Sequence, residues 1–355
     1  MEKDASTTSN HFRIREYIKP RDAQDCYSRV WLDSEIDEIW SSKFLGVDQN
    51  GLQRLEFQNP PYVAAMKLGG SPKKYNKAFV VQLNGCDYEC SYCFVDRKLN
   101  TPEFGNGKYF TAKEIMDQFE VERSRLESSK DVNVIRLTGG ESTCLAPELI
   151  IDISEEIESR NLSNEVFVRA DCNLSTSACL EKVLEDLRKV AQKNNFGIVG
   201  CLKSIGNGES GKQDFAETTG AEPMFFSKQF EVLDFVVNKM RADTYLYFVP
   251  IILGKIAEYR TRLRECCERL MQINKNLPLR VNILQIRNYS PVKKNMLDAF
   301  REGRKLPNYN GEIYEEWFPR FIQEQKTITS IWHNEILPSF YKGNDINRYR
   351  CQVPL

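Results

Sequence analysis

The sequence contains few histidines, no long hydrophobic run and no excess of charge of one sign. Its two histidines, His11 and His333, lie far apart and cannot form the histidine pair of a common zinc site. With 49 Lys and Arg against 50 Asp and Glu, the net charge of -1 gives no overall indication of polyanion binding. The longest apolar run, residues 245–253, is far too short to span a bilayer and predicts a buried strand.

A secretory signal is also missing from the sequence, because residues 1–22 mix acidic and basic side chains without an apolar core. The 11 cysteines, an odd number in a chain of 355 residues, fit a reducing compartment better than a disulfide scaffold. We therefore expect a cytoplasmic protein without membrane association. The 41% hydrophobic content is sufficient for one large domain with extensions or for two domains.

The densest chemical feature is a loop with three cysteines at the spacing CxxxCxxC, namely Cys86, Cys90 and Cys93. Three such thiolates cannot pair as disulfides without leaving one over, and soft sulfur ligands select zinc or an iron-sulfur cluster. A closed zinc site needs a fourth ligand, but no second CxxC lies nearby and Cys144 belongs to another predicted element. A four-iron cluster with three cysteine ligands leaves one iron open to a substrate, whereas ferredoxins close it with a fourth cysteine.

A second motif, Gly139-Gly140-Glu141, ends the next predicted strand, and the aromatic Tyr92 precedes the last cysteine of the loop. In this order the two motifs resemble those of the radical S-adenosylmethionine (radical SAM) enzymes. The resemblance implies a 4Fe-4S cluster on the three cysteines and S-adenosyl-L-methionine (SAM) on the open iron. It implies reductive cleavage of SAM to a 5′-deoxyadenosyl radical that abstracts hydrogen from a substrate. A reductant protein such as flavodoxin or ferredoxin is the implied partner.

Strand and helix signals alternate regularly from residue 78 onward. Six buried apolar segments with connections too long for hairpins predict a parallel sheet with right-handed crossovers, and so an α/β fold. The expected strands are residues 78–83, 132–137, 165–171, 196–203, 245–252 and 279–286. This pattern does not show whether the sheet closes, and the family resemblance implies a partial (β/α)6 TIM-like barrel that is open at one side.

Extensions are expected on both sides of this core, which covers residues 78–287. Residues 1–77 predict an N-terminal extension that packs on the barrel, and residues 288–355 a C-terminal extension that covers the barrel or forms a substrate site. Within the core, Thr111 and Glu114 have the spacing of a capping box at a helix start. The Gly-rich polar segment 206–220 predicts a loop.

The third strand supplies candidate site residues, because barrel enzymes place function at the carboxyl ends of their strands. Alternation along this strand points Arg169 and Asp171 into the barrel, where a buried charge must be paired or bind a ligand. Asp171 and Asn173 resemble the Asp-x-Asn of the pyruvate formate-lyase activating enzymes, an activase-like branch in which the Asp contacts the methionyl group. An internal network of Arg169 with Asp171 is the alternative.

The fourth strand ends in Cys201-Leu202-Lys203, which resembles the Asp-Leu-Lys of the activases. The resemblance implies that Lys203 neutralises the methionine carboxylate of SAM. Cys201 replaces the ribose-binding acid of that motif, which leaves the ribose contact unassigned. Residues 215–221 resemble a Phe-x-x-x-Thr-Gly-Ala loop of the same branch, with a solvated connector as the alternative.

The remaining roles implied by the family concern the two defining motifs. Tyr92 lies where family members place an aromatic beside the adenine, or it packs under the cluster loop. Gly139, Gly140 and Glu141 match the turn that holds the methionyl amino group, and a plain strand-to-helix turn is the alternative. The other cysteines offer no second dense thiolate cluster, so an auxiliary cluster domain is not expected.

Three substrate classes and one non-catalytic function are compatible with this pattern. A peptide or protein is the first choice of substrate, from the activase-like strand ends, and RNA or a small metabolite comes second. Short basic runs at residues 73–74 and 301–305 suit a phosphate backbone and suit a solvated surface equally well. The competing class is a binding module in which zinc or an iron-sulfur cluster only stabilises the cysteine loop.

Overall fold

The computed structural model describes residues 12–14, 30–32, 60–75, 77–83, 85–95, 97, 108–125, 132–206, 208–249, 251–254, 256–284 and 286–341. Its strands are β1 Phe12–Ile14, β2 Val30–Leu32, β3 Lys77–Leu83, β4 Lys108–Phe110, β5 Val132–Gly139, β6 Phe167–Cys172, β7 Phe196–Leu202, β8 Thr244–Phe248 and β9 Val281–Ile283. Within the described residues, β3, β5, β6, β7, β8 and β9 pair in this order and in parallel. This confirms the α/β partial barrel, with β3 and β9 at opposite ends of the parallel sheet.

Helices separate these strands, as the amphipathic patterns predict. They are α1 Pro60–Leu68, α2 Ala112–Arg125, α3 Pro147–Ser159, α4 Ala178–Lys182, α5 Leu184–Ala191, α6 Gly208–Thr219, α7 Phe225–Asp234, α8 Ile256–Ile273, α9 Ser290–Arg301, α10 Tyr314–Ile331 and α11 Leu337–Phe340. The capping box at α2 is confirmed, because the backbone N–H of Thr111 donates to Glu114 Oε2 at 2.7 Å and that of Glu114 donates to Thr111 Oγ1 at 3.2 Å.

The loop predicted over residues 206–220 is wrong, because α6 occupies most of it. Phe215, Thr218 and Thr219 are fully buried on one side of this helix. Gly211 is required where the helix crosses α7, since a Cβ atom there would lie 2.8 Å from the ring of Phe226. Tertiary packing therefore outweighs the low helix propensity of the glycines in this segment.

The two faces of the parallel sheet have different surroundings. Outward side chains pack under the helices in the main core, whereas the inner face at the amino ends of the strands packs on α1. Val63 and Ala64 of α1 pack there with inward residues Val80, Val134, Phe167, Val199 and Tyr245. Toward the carboxyl ends the inner face becomes polar and half-buried, at Gln82, Arg136, Asp171, Cys201, Tyr247 and Asn282. The barrel interior thus has an apolar floor and a polar, accessible mouth.

Described segments that precede and follow the parallel strands in the sequence extend this core. The short strands β1 and β2 pair antiparallel with β3, and β4 pairs with β1. After β9, helices α9 to α11 pack around an aromatic cluster in which Trp317 stacks on Phe321 at 4.9 Å between ring centroids. Trp332 makes an edge contact with Phe248 of β8 at 5.0 Å. The described strands and helices on both sides of the parallel sheet therefore pack directly on it.

None of the helices in the described part of the chain has the length and apolar composition that a membrane span requires.

Candidate functional site

The cysteine loop leaves the carboxyl end of β3 and is anchored on both sides of Cys90. The backbone N–H groups of Glu89 and Ser91 donate to the carbonyls of Thr219 and Thr218, each at 2.8 Å. These carbonyls belong to the last turn of α6, where they lack partners within the helix. The segment after the fourth parallel strand is therefore a helix end that holds the loop, and not a solvated connector.

Of the three loop thiols, Cys90 is buried and Cys86 and Cys93 are half-buried, and the latter two receive N–H donors. Asn173 Nδ2 lies 3.2 Å from Cys86 Sγ, and the backbone N–H of Val95 donates to Cys93 Sγ at 3.4 Å. Burial raises the pKa of Cys90 to about 11 and raises that of Cys86 further. These two thiols therefore stay protonated at neutral pH until a bound metal displaces the protons, and the N–H donors then stabilise the thiolates.

The ligands that the loop offers indicate which metal group fits. A closed zinc site needs four ligands, whereas three cysteines can each bind a different iron of a four-iron cluster and leave the fourth iron open. The loop supplies three thiols, Cys86, Cys90 and Cys93. This donor set fits an iron-sulfur cluster with one open iron.

The Gly-Gly-Glu turn packs directly against the cysteine loop. The backbone N–H of Gly140 donates to Leu83 O and that of Glu141 to Gly85 O, each at 3.0 Å. A Cβ atom on Gly140 would lie 1.7 Å from Gly85 O, and Gly139 adopts a φ of 94°. Glycine is therefore required here by the close approach of two strand ends.

The side chain of Glu141 ties this turn to the end of β6. Its Oε1 accepts the backbone N–H groups of Thr143 at 2.8 Å and Cys144 at 2.7 Å, and its Oε2 accepts that of Asn173. Burial and the neighbouring Cys144 raise the pKa of Glu141 well above its usual value. The carboxyl group therefore holds the backbone after the Gly-Gly-Glu turn and the backbone at the end of β6 in fixed positions.

Asp171 lies in a network on the inner face of the sheet. Its Oδ2 accepts Arg136 Nε at 2.9 Å and Nη2 at 2.6 Å, and its Oδ1 accepts Arg169 Nε at 2.8 Å. Burial alone would raise the pKa of Asp171, but the two guanidinium groups outweigh it and hold that pKa below its usual value. Arg136 was missed in the sequence, although it lies opposite Arg169 in the register of β5 and β6.

Lys203 follows β7 and is almost fully buried, with 5% relative exposure. Its Nζ lies 6.0 Å from the ring centroid of Tyr92, whose hydroxyl lies 4.0 Å from Cys201 Sγ. Burial alone would lower the pKa of Lys203, but the facing thiols of Cys201 and Cys90 outweigh it and raise that pKa. Lys203 is therefore a buried positive charge beside the loop and next to the ring of Tyr92.

Gln229 on α7 is a second residue that the sequence did not reveal. Its Nε2 donates to Asn173 O at 2.6 Å and Cys201 O at 3.0 Å, and its Oε1 accepts the backbone N–H of Lys203 at 3.1 Å. A fully buried amide thus joins the ends of β6 and β7. A lone Gln in an amphipathic helix pattern has no local signal for this role.

Cys144 and Cys172 also come together only in the tertiary structure, with their sulfurs 3.4 Å apart. The hydrogen bond from Cys172, supported by N–H groups of the following loop, lowers the pKa of Cys144, while burial raises that of Cys172. The pair lies directly behind Glu141. No local sequence pattern indicates this pair, because its two members are separated by 28 positions along the chain.

The C-terminal helices hold the segment after the cysteine loop. Asn295 Nδ2 donates to the carbonyls of Cys93 and Val95, each at 2.8 Å. Gln325 Oε1 accepts the backbone N–H of Ile286 at 3.1 Å, just after β9. The C-terminal segment therefore contacts the chain after both end strands of the parallel sheet.

We expect Asn295→Ala to lower the free energy of unfolding by about 1–3 kcal/mol, because two shielded carbonyls lose their donor. The same variant should retain less iron after reconstitution, since the Cys93 end of the loop is released. Urea unfolding and iron analysis measure the two effects. Asn334→Ala, on the exposed side of the C-terminal segment, is the control; equal losses in both variants would contradict the assignment.

Comparison with known proteins gives matches in structure only. No protein-family model and no curated protein sequence matches this chain. A spore photoproduct lyase bound to dinucleoside spore photoproduct matches at 12% identity and a TM-score of 0.43, over 71% of this chain and 72% of the lyase. The radical S-adenosylmethionine methyltransferase TsrM from Kitasatospora setae, with cobalamin and a [4Fe-4S] cluster bound, matches at 14% identity and a TM-score of 0.39, over 61% of this chain and 38% of TsrM.

The cobalamin-dependent S-adenosylmethionine radical enzyme OxsB matches at 16% identity and a TM-score of 0.38, over 70% of this chain and 36% of OxsB. This chain thus spans well under half the length of TsrM and OxsB. Similarity at these values does not assign a family, and the function is argued from the residues of this chain.

Proposed function

We propose that this chain is a radical SAM enzyme with a 4Fe-4S cluster on Cys86, Cys90 and Cys93. The observation that carries the proposal is the arrangement at the barrel mouth, where the three free thiols of one loop lie around the buried ammonium of Lys203. A cluster with three cysteine ligands has one open iron, as the binding of a substrate to metal requires. When bound, such a cluster supplies the electron that cleaves SAM to a 5′-deoxyadenosyl radical.

The side chains around the loop provide binding and orientation. Lys203 is proposed to pair with the methionine carboxylate of SAM, because it is a buried positive charge beside the cysteine loop. Gly139 and Gly140 present backbone carbonyls for the methionyl amino group, in a turn whose position is held by Glu141. The roles of Asp171 and Asn173 toward the methionyl group and of Tyr92 toward the adenine remain proposals of the same kind.

The substrate is proposed to enter the polar barrel mouth, with a peptide or protein as the first choice and RNA or a small metabolite as the alternatives. A reductant protein such as flavodoxin or ferredoxin, and a cytoplasmic location, complete the proposal. We propose the division into residues 1–77, 78–287 and 288–355, with the last segment forming part of the substrate site. The contacts of Asn295 and Gln325 after both end strands support that role.

The test is anaerobic reconstitution of the full chain with iron, sulfide, reductant and SAM. We expect about four irons and four sulfides per chain, as a 4Fe-4S cluster requires, and formation of 5′-deoxyadenosine. A colourless protein with one zinc and no sulfide would refute the proposal. It would instead support the non-catalytic binding module.

For Lys203→Ala we expect weaker SAM binding with the cluster retained, because the residue compensates carboxylate charge and is not a ligand. A charge-assisted hydrogen bond contributes about 1.5–3 kcal/mol, which corresponds to roughly a 10- to 150-fold loss of affinity. Equilibrium binding of SAM to the reconstituted proteins measures this loss of affinity. Lys212→Ala, on the more exposed face of α6, should bind SAM as the wild type does; unchanged affinity in the Lys203 variant would remove Lys203 from the site.

A further inference from the structure

Tyr88 lies in the cysteine loop between Cys86 and Cys90 and has no assigned role. Its side chain is almost fully buried, with 4% relative exposure. Its hydroxyl has no hydrogen-bond partner among the described residues. A buried hydroxyl without a partner is costly and rare, which indicates that a group outside the protein chain completes its hydrogen bonding.

The phenol cannot turn away to reach solvent. Its ring makes an edge contact with Phe215 of α6, with 5.5 Å between centroids and an interplanar angle of 87°. Phe215 is itself fully buried. The backbone on the C-terminal side of Tyr88 is held by the hydrogen bonds of Glu89 and Ser91 to the end of the same helix. The direction of the hydroxyl is therefore set by the packing of the loop.

The position of Tyr88 in the loop places it beside the proposed ligands. It lies between Cys86 and Cys90 in the sequence, two residues from each. Cys90 and Lys203, which line the proposed cluster site, are among the groups close enough to act on it electrostatically. A hydrogen-bond donor without a partner is therefore available on this side of the loop.

None of the described acceptors accepts the Tyr88 hydroxyl. Both oxygens of Glu141 accept backbone N–H groups, and Asp87 Oδ1 accepts Asn173 Nδ2 at 3.2 Å. The group in this region that gains acceptor strength is Cys90, whose thiol becomes a thiolate when it binds metal. Sulfur carrying negative charge is then the acceptor that Tyr88 lacks in the metal-free chain.

We propose that the Tyr88 hydroxyl donates a hydrogen bond to sulfur of the bound cluster, either the Cys90 thiolate or a sulfide beside it. This inference rests on the proposed function and adds a residue that tunes the cluster. Hydrogen bonds to cluster sulfurs stabilise the more negative, reduced state and so raise the reduction potential. Tyr88 therefore makes the cluster easier to reduce.

The test compares the wild type with Tyr88→Phe as full chains, first without metal and then after anaerobic reconstitution. Because the metal-free chain leaves the hydroxyl unpaired, the metal-free variant should melt at the same temperature as the wild type or above it. After reconstitution with equal iron and sulfide content, the midpoint potential of the variant, measured by redox titration with electron paramagnetic resonance, should shift to a more negative value.

Tyr314→Phe serves as the matched control, because Tyr314 is also buried but lies in the C-terminal helices. Its midpoint potential should equal that of the wild type. An unchanged potential in Tyr88→Phe, or a lower melting temperature of its metal-free form, would overturn the proposal. A wild-type chain that binds no iron and sulfide would overturn the proposed function itself, which separates the two failures.

Discussion

Cys90→Ala is expected to abolish iron and sulfide uptake and, with them, formation of 5′-deoxyadenosine. Cys90 is the most deeply buried of the three loop thiols, and its side chain faces Lys203. Two remaining cysteines cannot hold three irons of a cluster, and alanine supplies no ligand. Metal and sulfide analysis after anaerobic reconstitution, together with the visible absorption spectrum, measures the loss.

Cys179→Ala is the control for this experiment. Cys179 is a half-buried free thiol on α4 and lies outside the cysteine loop. We expect this variant to take up iron and sulfide as the wild type does. Turnover that persists in the Cys90 variant would refute the assignment of Cys90 as a ligand.

Gly140→Ala is expected to destabilise the fold by about 3 kcal/mol or more, because overpacking against backbone allows little relief. The added Cβ would lie 1.7 Å from Gly85 O, in the turn that precedes Cys86. Relief of this overlap must separate the ends of β3 and β5, and thereby the two motifs of the site. Urea unfolding measures the loss of stability, and iron content after reconstitution measures the effect on the loop.

Gly303→Ala provides the matched comparison for this substitution. Gly303 has a φ of 87°, and a Cβ atom added there would meet no other atom within 4 Å, so its substitution adds conformational cost without overlap. The left-handed conformation costs an alanine about 1–2 kcal/mol. A Gly140 variant no less stable than the Gly303 variant would show that the two strand ends can separate freely.

Local sequence patterns predicted the parallel sheet because the strands are buried. Their outward side chains pack under the helices, and their inward side chains near the amino ends pack on α1. Each strand therefore appears in the sequence as an apolar run. Boundaries were less accurate: the strand expected over residues 245–252 ends at Phe248, and that expected over 279–286 is limited to Val281–Ile283. An apolar run records burial, whereas a strand ends where its backbone partners end. Val249, Ile251 and Ile252 remain buried beyond Phe248 without continuing the ladder.

Some residues of the candidate site were predicted from the sequence, and others were missed. Cysteine spacing and the Gly-Gly-Glu turn are local features, and the strand pattern placed them at one edge of the sheet. Arg136 and Gln229 were missed because their roles depend on partners that are distant in sequence. The same holds for Tyr88, whose unpaired hydroxyl is visible only once its neighbours are in place.

By itself, the sequence determined the α/β class, the order of the strands along the chain and the three soft ligands in one loop. These follow from hydrophobic periodicity and from short spacing, which are properties of neighbouring residues. Only the tertiary structure showed that Gly140 must be glycine because it lies against the backbone of Gly85. It also showed that Asp171 pairs with both Arg136 and Arg169, and that the end of α6 anchors the cysteine loop. Such contacts depend on how separate elements pack, and no local pattern records them.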